Sequence, residues 1–298
     1  MRTAAVDREK FKGVFALLLT PFQNNLEIDW NAYDAYVEWQ LQSGAGGLFA
    51  VCGSSEMKWL TLEERLALAR RAVKRANSTP VVATANLELD SHQQEEELRR
   101  MCDTGVSGVV LVPPETFQDD PDRLREHLAR LASRASCPVM LYELPPTRID
   151  PAMYADLTAN DGFFGIKDTT CTIDGIKAKI DASPDSIVYQ ANTPLLPEAI
   201  AAGAGGIMST ISTAAAKLTT LYFESAVNRR GDAASLHREL VFLDGMLKPA
   251  FPATAKYVAE LAGLPIGAHY TRRPAELRAM HMKALQVWYD SVQSRYYS

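Results

Sequence analysis

Eight short apolar runs alternate with amphipathic, helix-like stretches along most of the chain, and this rhythm limits the fold more than any other feature. The runs fall at residues 13–19, 47–51, 81–85, 108–112, 139–142, 163–166, 186–190 and 206–209. They lack polar–apolar alternation, as expected of strands buried on both faces in a parallel sheet covered by helices. The intervening stretches carry helix starts and stops. Asp29 precedes a stretch with Tyr33 and Val37 on one face that stops at Gly44. Thr61 with Glu64 forms a capping box ahead of Leu62, Leu66, Ala69 and Val73, and Ser91 with Gln94 repeats the pattern. Asp150-Pro151 and Thr193-Pro194 put proline in a first helical turn, and Gly105 and Gly203 sit where helices should end.

An open doubly wound sheet is the competing architecture, but its phosphate-binding glycine loop should follow the first strand. The turn there reads Leu19-Thr20-Pro21-Phe22. A count of eight favours closure, so the expected fold class is α/β, a (β/α)8 TIM barrel with extra C-terminal helices. The barrel is expected over residues 11–228 and a helical extension over 229–298, with helices at 214–229, 233–247, 253–261 and 274–294. Barrels of this kind reach 298 residues as a single domain, here 1–298.

A net charge of −5 gives a nucleic-acid partner no electrostatic footprint. No stretch approaches the ~20 apolar residues of a membrane span, and the N-terminal MRTAAVDREKFKG lacks the apolar run of a signal peptide. Cys52, Cys102, Cys137 and Cys171 stand far apart, with no C-x-x-C pair and no histidine at ligand spacing. They read as buried free thiols of a cytoplasmic protein without a metal site.

Barrel enzymes build their sites where the strands end. The polar residues at those ends are Thr20, the turn Cys52-Gly53-Ser54-Ser55-Glu56, Tyr142-Glu143, Lys167-Asp168-Thr169-Thr170, Asn192-Thr193 and Ser209. Lys167 directly follows Phe163-Phe164-Gly165-Ile166. An ammonium at that depth is costly unless it is paired or sheds its proton. A neutral amine attacks a ketone to form an iminium, an electron sink for making or breaking a neighbouring bond. The other reading of Lys167 is a rim lysine paired with Asp168 or Glu143. Tyr142, on the neighbouring strand, is placed either as a proton shuttle or as an amphipathic core residue. Ser54 and Ser55 form a turn able to hold a carboxylate, although small turn residues are common. Arg148, in the loop Pro145-Pro146-Thr147-Arg148, is either a fork for a second carboxylate or a solvated arginine.

Together these segments resemble the dihydrodipicolinate synthase / N-acetylneuraminate lyase family of class I aldolases. The resemblance rests on Leu18-Leu19-Thr20-Pro21-Phe22, Ile28-Asp29, Gly44-Ala45-Gly46-Gly47-Leu48, Tyr142-Glu143-Leu144-Pro145, Gly165-Ile166-Lys167-Asp168 and Gly203-Ala204-Gly205-Gly206-Ile207-Met208-Ser209, in the family's order and spacing. It implies Lys167 as Schiff-base lysine and Tyr142 as its proton-transfer partner. It also implies Ser54 and Ser55 as relay and carboxylate site, and main-chain groups near Met208 as substrate orienters. No metal or organic cofactor is implied, and a homo-oligomer, tetramer or dimer, is.

Four departures mark this chain. The family's G-T-T-G-E is shortened to Gly53-Ser54-Ser55-Glu56, so the serines replace the threonines only if the gap falls on the second glycine; otherwise Gly53 takes a threonine's place. The loop Pro113-Pro114-Glu115-Thr116-Phe117 lacks the tyrosine that dihydrodipicolinate synthases lend to a neighbouring subunit. Thr147 falls on the arginine that holds the aldehyde's carboxylate in those enzymes, with Arg148 one position later, and Glu143 replaces asparagine. The expected activity is therefore a Schiff-base lyase or aldolase acting on pyruvate or a 2-oxo sugar acid. The alternatives are a dehydratase using the same iminium, dihydrodipicolinate synthase itself, and a non-catalytic barrel that binds a 2-oxo acid.

Overall fold

The computed structural model describes residues 6–160 and 162–297. Five residues of the N-terminal stretch, 1–5, fall outside the described residues. Eight parallel strands close into a barrel in chain order: β1 (Gly13–Leu17), β2 (Gly47–Val51), β3 (Val81–Thr84), β4 (Gly108–Leu111), β5 (Val139–Tyr142), β6 (Phe163–Asp168), β7 (Ile187–Gln190) and β8 (Gly206–Ile207). Helices cover the outside: α1 (Trp30–Leu41), α2 (Leu62–Ala76), α3 (Ser91–Cys102), α4 (Pro121–Arg134), α5 (Pro151–Thr158), α6 (Ile173–Ala182), α7 (Leu196–Ala201) and α8 (Ser212–Val227). Three more follow: α9 (Ala233–Leu247), α10 (Ala253–Leu261) and α11 (Ala279–Tyr296).

The barrel closes where Gly13 of β1 pairs with Gly206 of β8. A side chain at Gly206 would start 2.3 Å from the Gly13 carbonyl oxygen and 2.6 Å from the Tyr189 ring, so closure at this seam requires glycine. Phe11 stacks on Phe164 with ring centroids 4.0 Å apart at the N-terminal end of the barrel. Buried strand residues throughout follow from the absence of alternation: β2, β3, β4, β5 and β7 have no exposed position.

Local signals act largely as expected. Asp29, Thr61 and Asp150 accept from first-turn amides, and Gly44, Gly105 and Gly203 end helices at positive φ. Three expectations are corrected. The cap of α3 is Asp90, whose carboxylate accepts from the Gln93 amide, and Ser91 is already helical. The last helix starts at Ala279, and residues 274–278 run as irregular chain into it. The cysteines are not four separate buried thiols: Cys52 is buried, Cys171 is exposed, and Cys102 and Cys137 meet with sulfurs 2.9 Å apart.

Arg71 grips Asp34 at 3.0 and 2.9 Å and Arg75 adds a contact at 2.7 Å, joining α1 to α2. The Arg71 hydrogen bonds hold the Asp34 carboxyl down at about 2, against an ordinary 3.8. The depressed value means the pair stabilises the fold fully above pH ~4 and is lost as the pH falls through ~2. Asp34→Asn should cost about 1 kcal/mol at pH 7, discounted for the half-exposed arginines. Urea unfolding of both proteins at pH 7 and pH 3 checks this: the gap should shrink at the lower pH, and a constant gap would contradict it.

Among the described residues, no helix is long and apolar enough to cross a membrane, and no group of three or more His, Cys, Asp or Glu is placed to hold a metal ion.

Candidate active site

Strand β6 continues through Lys167 to Asp168, so Lys167 is a strand residue and only 4% exposed. It pairs in register with Tyr142 of β5, which puts both side chains on the same face of the sheet. Lys167 Nζ lies 4.2 Å from the centre of the Tyr142 ring and 5.6 Å from that of Phe49 on β2. The two rings meet edge to face, 6.1 Å apart. The amine is therefore held inside the barrel between two aromatic side chains.

The carboxylates that flank the pair in sequence turn away from it, because successive strand residues face opposite sides of a sheet. Lys179 of α6 takes both of them: its ammonium is 2.6 Å from Asp168 Oδ2 and 2.6 Å from Glu143 Oε2, and all three side chains are at most 2% exposed. Asp168 Oδ1 also accepts from the Thr170 amide and hydroxyl, and Glu143 Oε1 accepts from the Ile149 amide. Pairing of Lys167 with Asp168 or Glu143, open on sequence grounds, is thus not what the fold builds. Among the described residues no carboxylate lies within ion-pair distance of Lys167. The extra negative charge of Glu143 is compensated inside the protein.

The turn after β2 is a short 3-10 turn, Gly53–Ser55, locked from several sides. The Ser55 hydroxyl accepts from the Cys52 amide and donates to the Cys52 carbonyl, both at 2.8 Å, and the Thr20 hydroxyl donates to the Ser55 carbonyl at 2.8 Å. Ser55, expected to bind substrate, is fully buried with its hydroxyl used in closing the turn. Ser54 is 3% exposed, and its hydroxyl lies beside the Cys52 thiol. Burial pushes that thiol up, an effect that the charge of Lys167 partly offsets. The position opposite the phenol belongs to Gly53, where an added Cβ would sit 3.7 Å from the Tyr142 hydroxyl.

Glu56, which follows in left-handed conformation at φ 62°, ties this turn to the C-terminal helices. Its carboxylate meets Lys256 of α10 at 3.1 Å and accepts from the Arg273 amide at 2.7 Å. Lys256 also donates to the Tyr270 carbonyl at 2.8 Å and lies over the Phe22 ring. Burial draws the Lys256 ammonium down to about 8, against the opposing pull of Glu56.

The remaining expected site residues are dispersed. Met208 directly follows β8, and its amide donates to the Gln190 carbonyl at 3.0 Å. Arg148 is half-exposed at the rim, 4.0 Å from Glu143. Thr147 beside it is buried and donates to the Pro114 carbonyl at 3.2 Å, bracing one strand-end loop on the next. The fold thus gathers Lys167, Tyr142, Phe49 and Gly53 and leaves Arg148 outside.

Lys179 and Phe49 were missed from sequence. Lys179 carried a usable signal, a charged residue three positions after the buried Ile176 on the same helical face. Phe49 carried none, since any apolar strand residue fits the pattern.

The sequence model of the Dihydrodipicolinate synthetase family matches residues 10–287. A 4-hydroxy-tetrahydrodipicolinate synthase from Oceanobacillus iheyensis is 28% identical over 264 residues, covering 86% of this chain and 89% of its own. Among solved structures, YagE from E. coli K12, a prophage protein of the dihydrodipicolinic acid synthase family in complex with pyruvate, superposes with a TM-score of 0.86 at 21% identity, covering 95% of this chain and 99% of its own. CdNal from Clostridium difficile, in complex with mannosamine, gives 0.87 at 16%, covering 94% and 98%. With a matched family model spanning nearly its whole length and a closed eight-stranded barrel, the chain belongs to the dihydrodipicolinate synthetase family and is a lyase of the class I aldolase type.

Proposed function

We propose that this lyase acts on pyruvate or a longer 2-oxo acid, a 2-oxo sugar acid included, through an iminium on Lys167. The observation that carries the reading is an interior amine set against the Tyr142 ring, with both neighbouring carboxylates taken by Lys179. With both neighbouring carboxylates held by Lys179, no salt bridge among the described residues occupies Lys167 Nζ, which leaves it available to a ketone. Lys167 Nζ attacks C2 of the oxo acid, and the carbinolamine loses water to give the iminium. The electron pair of the breaking bond at C3 then flows into that iminium, leaving an enamine and releasing an aldehyde.

Tyr142 is the acid–base group, moving protons between carbinolamine, iminium and the substrate hydroxyl. Ser54 enters through the turn, whose small residues and main chain can hold the substrate carboxylate. Because Gly53 faces the phenol, the relay beyond Tyr142 passes through water or a hydroxyl of the substrate. The Met208 carbonyl orients the bound acid, and Arg148 meets a second anionic group at the rim. The protein works in the cytoplasm as a homo-oligomer. The exposed apolar side chains of Phe242 on α9 and of Met280 and Val287 on α11 support the assembly.

Tyr142→Phe should lower kcat by about 10²–10⁴-fold while still forming a covalent adduct with the oxo acid. Single-turnover and steady-state rates check this, and an unchanged kcat would remove Tyr142 from proton transfer. Product analysis on a panel of sugar-derived 2-oxo acids tests the reaction class. Pyruvate plus a shorter aldehyde supports the lyase, whereas an intact carbon chain lacking one water assigns a dehydratase using the same iminium. Dihydrodipicolinate synthase activity, favoured by the Oceanobacillus relative, would appear as condensation of pyruvate with an aldehyde that carries a carboxylate.

A further inference from the structure

Cys102 is the last residue of α3, and Cys137 lies just before β5. They are 35 positions apart, yet the fold brings their sulfurs to 2.9 Å, inside van der Waals contact of two sulfur atoms. Both side chains are largely covered, with Cys102 9% exposed and Cys137 somewhat more open. A thiol pair at this separation has only to lose two protons and two electrons to become covalent, with no search for a partner. Neither residue belongs to the Lys167 site, since both lie at the opposite end of the strands from Tyr142 and Lys167.

We propose that Cys102 and Cys137 form a dithiol–disulfide modification site whose co-substrate is a small disulfide such as oxidised glutathione. The Cys102 thiolate attacks one sulfur of the small disulfide, breaking its S–S bond and releasing one small thiolate. Cys137, deprotonated, then attacks the mixed disulfide at the Cys102 sulfur and releases the second. The protein dithiol is oxidised by two electrons, the small disulfide is reduced to two thiols, and those thiols take up the two protons. The contact sets the order of attack. The hydrogen bond from Cys137 draws the Cys102 thiol down to about 6 and the same contact pushes Cys137 up, which favours Cys102 as the first attacking sulfur. The bond ties the end of α3 to the entry of β5 and closes a loop containing β4 and α4.

The test uses the full chain carrying Cys171→Ser, which removes the exposed thiol. The protein is treated with oxidised glutathione, remaining thiols are alkylated, and intact and peptide masses are read. The expected product is lighter by two hydrogens, with the Cys102 and Cys137 peptides linked. Its Tm should rise by roughly 5–10 °C, reversed by dithiothreitol. With Cys137→Ser added, glutathione should remain on Cys102. Lasting glutathione adducts on the Cys137-containing protein, or two freely alkylated thiols after oxidation, would overturn the proposal.

Discussion

Lys167→Ala is expected to lose activity by about four orders of magnitude or more on any substrate the parent protein cleaves, because the covalent route disappears with its nucleophile. The loss should fall on kcat, with substrate binding partly retained by the turn after β2 and the main chain of β8. Folding should survive: the alanine removes a polar amine from a 4% exposed site where no carboxylate pairs it, so relief of its desolvation offsets the lost packing. Circular dichroism and thermal melting of the variant establish that the fold is intact before rates are compared. Activity within tenfold of the parent in a folded variant would end the iminium account.

Lys179→Met is expected to cost about 3–5 kcal/mol, since it strands two carboxylates that are essentially unexposed. A Tm lower by roughly 10 °C is the corresponding reading. Adding Glu143→Gln and Asp168→Asn to the same chain should recover most of the loss, because the penalty comes from uncompensated charge rather than from the missing lysine stem. The variant also tests the link between this triad and the site. Asp168 and Glu143 directly follow Lys167 and Tyr142 on their strands, so losing their anchor to Lys179 loosens the strand ends that hold the amine and the phenol. Adduct formation with pyruvate at neutral pH should then slow. A single variant as stable as the parent would mean that the carboxylates find other partners or protonate without cost.

The barrel was legible because its signal repeats: eight apolar runs with caps and glycine stops between them admit few arrangements. The boundaries that moved did so where two local signals competed. Asp90 and Ser91 are both good caps, and the carboxylate took the first-turn amide. Residues 274–278 carry helix formers after Pro274, but the chain entering that stretch is pinned by the Arg273 amide donating to Glu56. That Lys167 and Tyr142 come together at neighbouring strand ends was legible, because each directly follows a buried apolar run. The burial of Lys179 could be inferred from its helical face, but its pairing with Asp168 and Glu143 could not, since that depends on a helix packing across two strands. Nor could spacing alone decide between Gly53 and Ser54 as the residue facing Tyr142, because one deletion in a turn exchanges them. The Cys102–Cys137 contact spans a whole strand–helix unit and leaves no trace in sequence spacing.

The most direct test of the central claim is a borohydride trap. The protein is incubated with pyruvate, reduced with sodium borohydride and analysed by intact and peptide mass spectrometry, with longer 2-oxo acids run in parallel. The iminium account predicts one reduced oxo-acid adduct per chain, on the peptide containing Lys167 and absent from Lys167→Ala. No adduct from any oxo acid in a folded protein, or an adduct on another lysine, would contradict it.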